Sequence, residues 1–423
     1  MAAVAYVDPG NVAANLTAGA EYGYLLVWVL VVSNAMAVLI QYLSAKLGLV
    51  TGRSLPELLG QRLRRRTRLA YWGQAEVVAA ATDLAEVIGG AIALNLLFGL
   101  PLVWGGLITG AISMVLLAIH SRRGQRPFEF VIIGFLAIIA VGFLAGLFVS
   151  PVSWPEVAGG LVPRFGDAGT VLLAASMLGA TVMPHAIYLH SALARDRHLP
   201  GERDVDNEVV AAEPRALPES RGGEASAVSA AAADPSWKDR LPRLLRATKA
   251  DVLWSLLIAG TVNIAMLLLA AASLRGVSGT DSIEGAHAAI EANLGPAIGV
   301  IFAIGLLASG LAATSVGAYA GAVIMGGLLH RRIPLLTRRL ITLIPALVIV
   351  GLGVDPTWAL VLSQVVLSLG IPFALIPLVR MTSSREVMGE HASGVPVRVA
   401  GWVVVALIVA LNLALIAITV AGG

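Results

Sequence analysis

The chain has 423 residues, of which 57% are hydrophobic and only 13% charged, with a formal net charge of +3. A soluble domain carries about 25% charged residues, so an ordinary soluble fold is excluded, and no nucleic-acid partner is expected from so small a positive excess. There is no cysteine, which rules out disulfides, iron–sulfur clusters and thiolate metal sites and leaves the nine methionines as the only sulfur donors.

Apolar blocks such as Val27 to Leu43, Val131 to Val149 and Val399 to Val420 match the roughly 20 residues that a helix needs to cross a bilayer. About eleven spans are read, near 1–20, 24–47, 69–97, 102–120, 128–149, 168–193, 250–274, 296–329, 334–353, 356–380 and 397–421. No basic, cleavable leader precedes the first. Charge alternates between the connections. Arg53, Arg62, Arg64, Arg65, Arg66 and Arg68 lie between spans two and three, and Arg122, Arg123 and Arg126 between four and five. Arg331, Arg332, Arg338 and Arg339 follow span eight, and Arg385 and Arg398 follow span ten. The intervening loops are poor in Lys and Arg. Basic loops stay on the cytoplasmic side, so the expectation is a multi-pass protein of the cell membrane with a cytoplasmic N-terminus. Residues 195–249 hold ten Lys/Arg and ten Asp/Glu. Such a polyampholyte buries too little apolar surface to fold alone, so a disordered cytoplasmic linker is expected there. Trp237 to Leu245 is the stretch able to form a short interfacial helix.

Spans one and six share an interruption, Asp8-Pro9-Gly10-Asn11 in one and Met183-Pro184-His185 in the other. Proline removes a backbone donor and clashes with the preceding turn. Paired breaks at corresponding positions point to inverted repeats with a substrate site at the midplane. The repeats are read as 1–150 and as 168–194 plus 250–381, with an eleventh helix at 396–421.

An ionised carboxylate within a span is costly and marks function by default, which singles out Asp8. Asn11 is three residues on. Met183 offers a thioether and His185 an imidazole, and the breaks free the carbonyls of Ala5 and Ala180. One carboxylate, an amide oxygen, a thioether and two carbonyls form a mixed site suited to Mn²⁺, Fe²⁺ and softer ions rather than Mg²⁺ or Ca²⁺. Span three carries Glu76, Asp83 and Glu86 near one helical face, which reads either as a proton route or as a structural polar network. His190 lies five residues beyond His185, and Arg338 and Arg339 are either partners of these carboxylates or plain cytoplasmic anchors. Gln364 adds an oxygen to the site or makes an interhelical hydrogen bond. Asp251 and Asn263 fit a polar network better than a ligand set.

In this order the motifs Asp8-Pro9-Gly10-Asn11, Ala81-Thr82-Asp83-Leu84-Ala85-Glu86-Val87-Ile88-Gly89, Met183-Pro184-His185 with Tyr188-Leu189-His190-Ser191, and Leu362-Ser363-Gln364-Val365 resemble the Nramp family of proton-coupled divalent metal transporters, in particular its bacterial manganese transporters. The resemblance implies an all-α LeuT-type fold whose spans 1–5 and 6–10 are inverted repeats, with helices one and six unwound at the midplane. It implies that Asp8, Asn11, Met183 and the Ala5 and Ala180 carbonyls bind the metal and that Gln364 joins in some states. It also implies that Asp8, His185, Glu86 and Asp83 belong to a proton network, with Arg338 and Arg339 further along. Two departures stand out: Ala186 where the family usually has Asn, and an apolar stretch Leu311 to Tyr319 where it usually has Gln-Ser-Ser and further polar residues. The resulting expectation is not an enzyme but a monomeric importer of Mn²⁺ or Fe²⁺, with Co²⁺, Cd²⁺ and Zn²⁺ as further substrates, a co-transported proton and no permanent cofactor. The alternatives are a symporter of an organic solute on the same fold and a membrane-embedded metal sensor.

Overall fold

The computed structural model describes residues 6–123, 134–135, 137–141, 143–147, 150–198, 235–277, 279–280, 282–330 and 335–422. Among them there is no strand. In chain order the helices are α1 (Pro9–Tyr22), α2 (Val27–Thr51), α3 (Leu55–Arg62), α4 (Arg65–Phe98), α5 (Leu102–Arg123), α6 (Trp154–Gly159), α7 (Ala168–Thr181), α8 (Pro184–His198), α9 (Pro235–Ser273), α10 (Ile283–Leu294), α11 (Pro296–Leu329), α12 (Leu335–Gly351), α13 (Pro356–Ser383), α14 (Arg385–Met388) and α15 (Val395–Gly422). Among the described residues, seven segments are long and apolar enough to cross a bilayer: α2, α4, α7 with α8, Asp239–Ser273 of α9, α11, α13 and α15. Leu102–Leu116 and Ala137–Leu147 are shorter apolar helices. With α1 (14 residues) and α12 (17 residues), a helical segment stands at each expected span.

The outer surface of this bundle is apolar. Leu340, Ile341, Ile344 and Val348 of α12 and Val399, Val403, Leu407 and Leu413 of α15 are all exposed. A soluble monomer rarely exposes so continuous an apolar surface; in hydrocarbon it costs nothing, and the helices satisfy their own backbone groups. The polar side chains turn inward instead. Asp8, Asn11, Asn15, Glu86, His185, Arg339, Gln364 and Asn412 are buried. The most extensive helix–helix interfaces join α4 to α11 and α1 to α9, and the first turn of α1, Pro9 to Val12, is buried.

The connections differ from expectation at three places. Within the disordered linker expected over 195–249, α8 runs on to His198 and α9 begins at Pro235; residues 199–234, on which the rest of that expectation falls, lie outside the described residues. The physical reason is a contact that composition does not reveal. Leu241 is buried against Ala45, Leu49 and Ala194, with Leu244 and Leu245 beside it. This anchors the charged start of α9 to α2 and α8. In the arginine-rich connection, α3 forms behind a capping box in which Ser54 and Glu57 satisfy each other's backbone N–H groups. Between α9 and α11, α10 starts at the N-cap Ser282.

Candidate functional site

Two helix starts build the centre. Asp8 is extended (φ −98°, ψ 170°) and caps α1, with Pro9 at the first helical position, where its missing N–H is no loss. The Asp8 Oδ1 accepts from the Asn11 backbone N–H at 2.7 Å and from Asn11 Nδ2 at 3.0 Å. The residues leading into this turn are held by side chains from two other helices. Asn263 Nδ2 of α9 donates to the Tyr6 carbonyl at 2.9 Å, and Ser309 Oγ of α11 donates to the Val7 carbonyl at 2.7 Å. Asn263 also accepts from Asn15 at 3.3 Å, so it belongs to a supporting network, as expected; Asp251 is exposed.

The second start lies between α7 and α8. Val182 ends α7 and Pro184 opens α8. Pro184 has no N–H to give to the carbonyl four residues back, that of Ala180. Asn11 supplies the donor instead: its Nδ2 reaches the Ala180 carbonyl at 3.0 Å. One amide therefore joins both breaks. Gln364 of α13 completes the cluster. A methyl group at Gly10 would collide with the Gln364 side-chain amide, so that amide lies directly on the first turn of α1. A side chain at Gly179 would likewise meet the Gln364 carbonyl and the Ser368 backbone nitrogen, so α7 and α13 touch backbone to backbone beside Ala180.

Among the described residues, three oxygens of this cluster are buried without a hydrogen-bond donor: Asp8 Oδ2, Asn11 Oδ1 and Gln364 Oε1. Met183 is 1% exposed at the α7–α8 break. The Ala5 carbonyl lies outside the described residues. Among the described residues no group of three His, Asp or Glu side chains is placed to hold a metal ion, so a cation here would depend on mixed donors.

A second buried network runs along α4. Arg339 of α12, fully buried, pairs with Asp83 and with Glu86 at 3.2 Å. It also donates to Ser113 of α5 at 3.2 Å and Thr314 of α11 at 3.3 Å. Arg338 takes the other carboxylate, Glu76, at 3.0 Å. Its guanidinium passes through the space that a side chain at Gly321 of α11 would fill. The three α4 carboxylates thus divide between two adjacent arginines. His185 approaches this helix through Thr82, with Nδ1 3.4 Å from the hydroxyl oxygen. His190 turns the other way. Its Nδ1 is 2.8 Å from Gln41 Oε1 of α2, and among the described residues it shares no hydrogen bond with Asp83 or Glu86. Ser113, Thr314 and Ser309 leave little signal in the sequence, being small polar residues on mostly apolar helices.

The whole architecture has known counterparts. Residues 1–418 match the family model described as Nramp, natural resistance-associated macrophage protein-like. A divalent metal cation transporter MntH from Mycobacterium tuberculosis is 57% identical over 422 residues, covering 100% of this chain and 91% of the relative. The MntH of Bacillus subtilis is 42% identical over 418 residues, covering 98% and 90%. The crystal structure of the Eremococcus coleocola manganese transporter superposes with a TM-score of 0.81 at 30% identity, covering 97% of this chain and 84% of that one. A nucleobase-cation-symport-1 family transporter shares the fold alone, at a TM-score of 0.51 and 15% identity, with coverage of 92% and 80%. The fold is the all-α polytopic LeuT type, and this is a membrane protein. The chain belongs to the Nramp family.

Proposed function

We propose that this chain is a secondary active transporter that imports divalent transition-metal ions, Mn²⁺ and Fe²⁺ first among them, by alternating access and together with protons. The observation that carries the reading is the set of three buried, donorless oxygens around one turn of α1, on Asp8, Asn11 and Gln364. Each buried acceptor without a donor costs about 1–3 kcal/mol; a cation that has lost its water would offset that cost at all three together. Beside them stands the Met183 thioether, which favours Mn²⁺, Fe²⁺ and softer ions over Mg²⁺ and Ca²⁺. The relatives named as divalent metal cation transporters and as a manganese transporter support the same substrate class.

In this reading Asp8, Asn11, Met183 and the Ala5 and Ala180 carbonyls bind the ion, and Gln364 joins as the site closes. Asn11 Nδ2, now donating to the Ala180 carbonyl, has to release that oxygen before it can face the metal. Asp8 couples metal to proton, because the ligand is the deprotonated carboxylate. His185, Glu86, Asp83 and Glu76 carry protons inward, with the permanently charged Arg338 and Arg339 as ion-pair partners further along the pathway and His190 as a branch through Gln41. Residues 1–150, and 168–194 with 250–381, form the two inverted repeats, and the N-terminus faces the cytoplasm of a cell-membrane monomer.

The test is Mn²⁺ uptake by the chain in sealed liposomes with an inward proton gradient. Uptake that rises with the gradient and disappears in Asp8→Ala is expected. Equal uptake by Asp8→Ala would refute the site. Binding without flux would mean a sensor, and flux of an organic solute indifferent to Mn²⁺ would mean the other symporter class.

A further inference from the structure

The peripheral helix α15 makes one buried polar contact with α13. Asn412 is buried on the mostly apolar α15, and its amide makes two bonds to a single residue of α13. Asn412 Nδ2 donates to the Ser368 carbonyl at 2.9 Å, and Ser368 Oγ donates to Asn412 Oδ1 at 2.8 Å. The reason lies four residues further along. Pro372 stands inside α13 and has no N–H for the Ser368 carbonyl, its usual partner in the helix ladder. Asn412 supplies the missing donor from outside. The centre uses the same chemistry, where Pro184 frees the Ala180 carbonyl and Asn11 Nδ2 takes it at 3.0 Å.

Ser368 is one helical turn beyond Gln364. Gly179 of α7 sits flush against the Gln364 carbonyl and the Ser368 nitrogen, so the clamped turn of α13 rests on the backbone next to the α7–α8 break. α15 is seated on the same two helices, with Leu415 packed against Val171, Ala175 and Val365 and Leu411 alongside. A proline-weakened turn would otherwise bend under packing forces, and bending it moves Gln364 relative to the first turn of α1.

We propose that Asn412 is a positioning residue for Gln364. By clamping the carbonyl freed by Pro372, α15 holds this turn of α13 in the position at which the Gln364 oxygen meets the metal. α15 is thereby part of the transport device although it stands outside the two proposed repeats. The inference rests on the reading of Gln364 as a metal ligand.

The experiment measures equilibrium Mn²⁺ binding and thermal unfolding of the full chain in detergent. The variants are Asn412→Leu and Pro372→Ala, each alone and combined with Gln364→Ala, with Asp8→Ala alongside. Pro372→Ala restores a backbone hydrogen bond rather than removing one, so it keeps the test decisive if Asn412→Leu yields no folded protein. Each variant is expected to weaken Mn²⁺ binding roughly three- to tenfold while Gln364 is present, and to add nothing once Gln364 is alanine. An equal loss in both backgrounds, or native affinity in Pro372→Ala, overturns the proposal; so does a lowered unfolding temperature with unchanged affinity in Asn412→Leu. Native Mn²⁺ binding by Asp8→Ala sinks the metal-site reading itself. Binding lost in Asp8→Ala but native in Asn412→Leu and Pro372→Ala sinks only the role of Asn412.

Discussion

Replacing Arg339 by methionine removes the cation that touches both Asp83 and Glu86. The guanidinium has no exposed surface, and Glu86 has none either. Its hydrogen bonds to Ser113 and Thr314 also go, leaving those hydroxyls with less to bond. Breaking a buried pair by removing one partner costs about 3–5 kcal/mol, because the other charge remains in a low-dielectric interior. At about 1.4 kcal/mol per factor of ten, the ratio of folded to unfolded protein falls by roughly two to four orders of magnitude. Reversible denaturation in mixed micelles, followed by tryptophan fluorescence, measures this. Two comparisons fix the cause. The triple variant Asp83→Asn, Glu86→Gln, Arg339→Met removes the stranded charges and is expected to recover most of the loss. Arg62→Ala breaks a bond to Glu386 of similar length, 3.0 Å, but with 44% and 80% exposed side chains; a solvated pair of this kind is worth at most about 1 kcal/mol. If Arg339→Met unfolds within 1 kcal/mol of the native chain, or if the triple variant is no better than the single one, the charge-burial reasoning is wrong.

Gly10→Ala places a methyl group into the Gln364 amide, so Mn²⁺ affinity is expected to fall, by roughly tenfold or about 1.4 kcal/mol; adding Gln364→Ala reopens the space, and titration calorimetry on the two variants should show no further loss. Met183→Ala removes the thioether and should lower discrimination of Mn²⁺ against Mg²⁺ and Ca²⁺ by roughly tenfold, about 1.4 kcal/mol, read from competition in the liposome uptake assay. Unchanged discrimination would take Met183 out of the proposed ligand set.

Much of this molecule is legible without coordinates, for physical reasons that attach to particular residues. A run such as Val399 to Val420 is stable as a helix in hydrocarbon whatever surrounds it, so the spans, their number and the membrane setting follow from local composition. Asp8-Pro9 and Met183-Pro184 mark their own breaks, because proline acts on the chain immediately before it. The sparse ionisable residues inside spans announce themselves in the same way, since hydrocarbon tolerates few of them.

Contacts between distant segments are different in kind. Nothing near Asn412 in the chain signals that its amide meets the carbonyl freed by Pro372, and nothing in the charged segment 235–249 shows that Leu241 will be buried against α2 and α8. The pairing of Arg339 with Asp83 and Glu86, leaving Glu76 to Arg338, and the turning of His190 toward Gln41, depend on how α12, α4, α8 and α2 are rotated about their axes. Sequence by itself determined the elements, their setting and the residues too costly to bury idly, because backbone hydrogen bonding and transfer into hydrocarbon are local. Tertiary packing alone decided which donor meets which freed carbonyl and which cation meets which carboxylate, because those energies depend on distance in space and not along the chain.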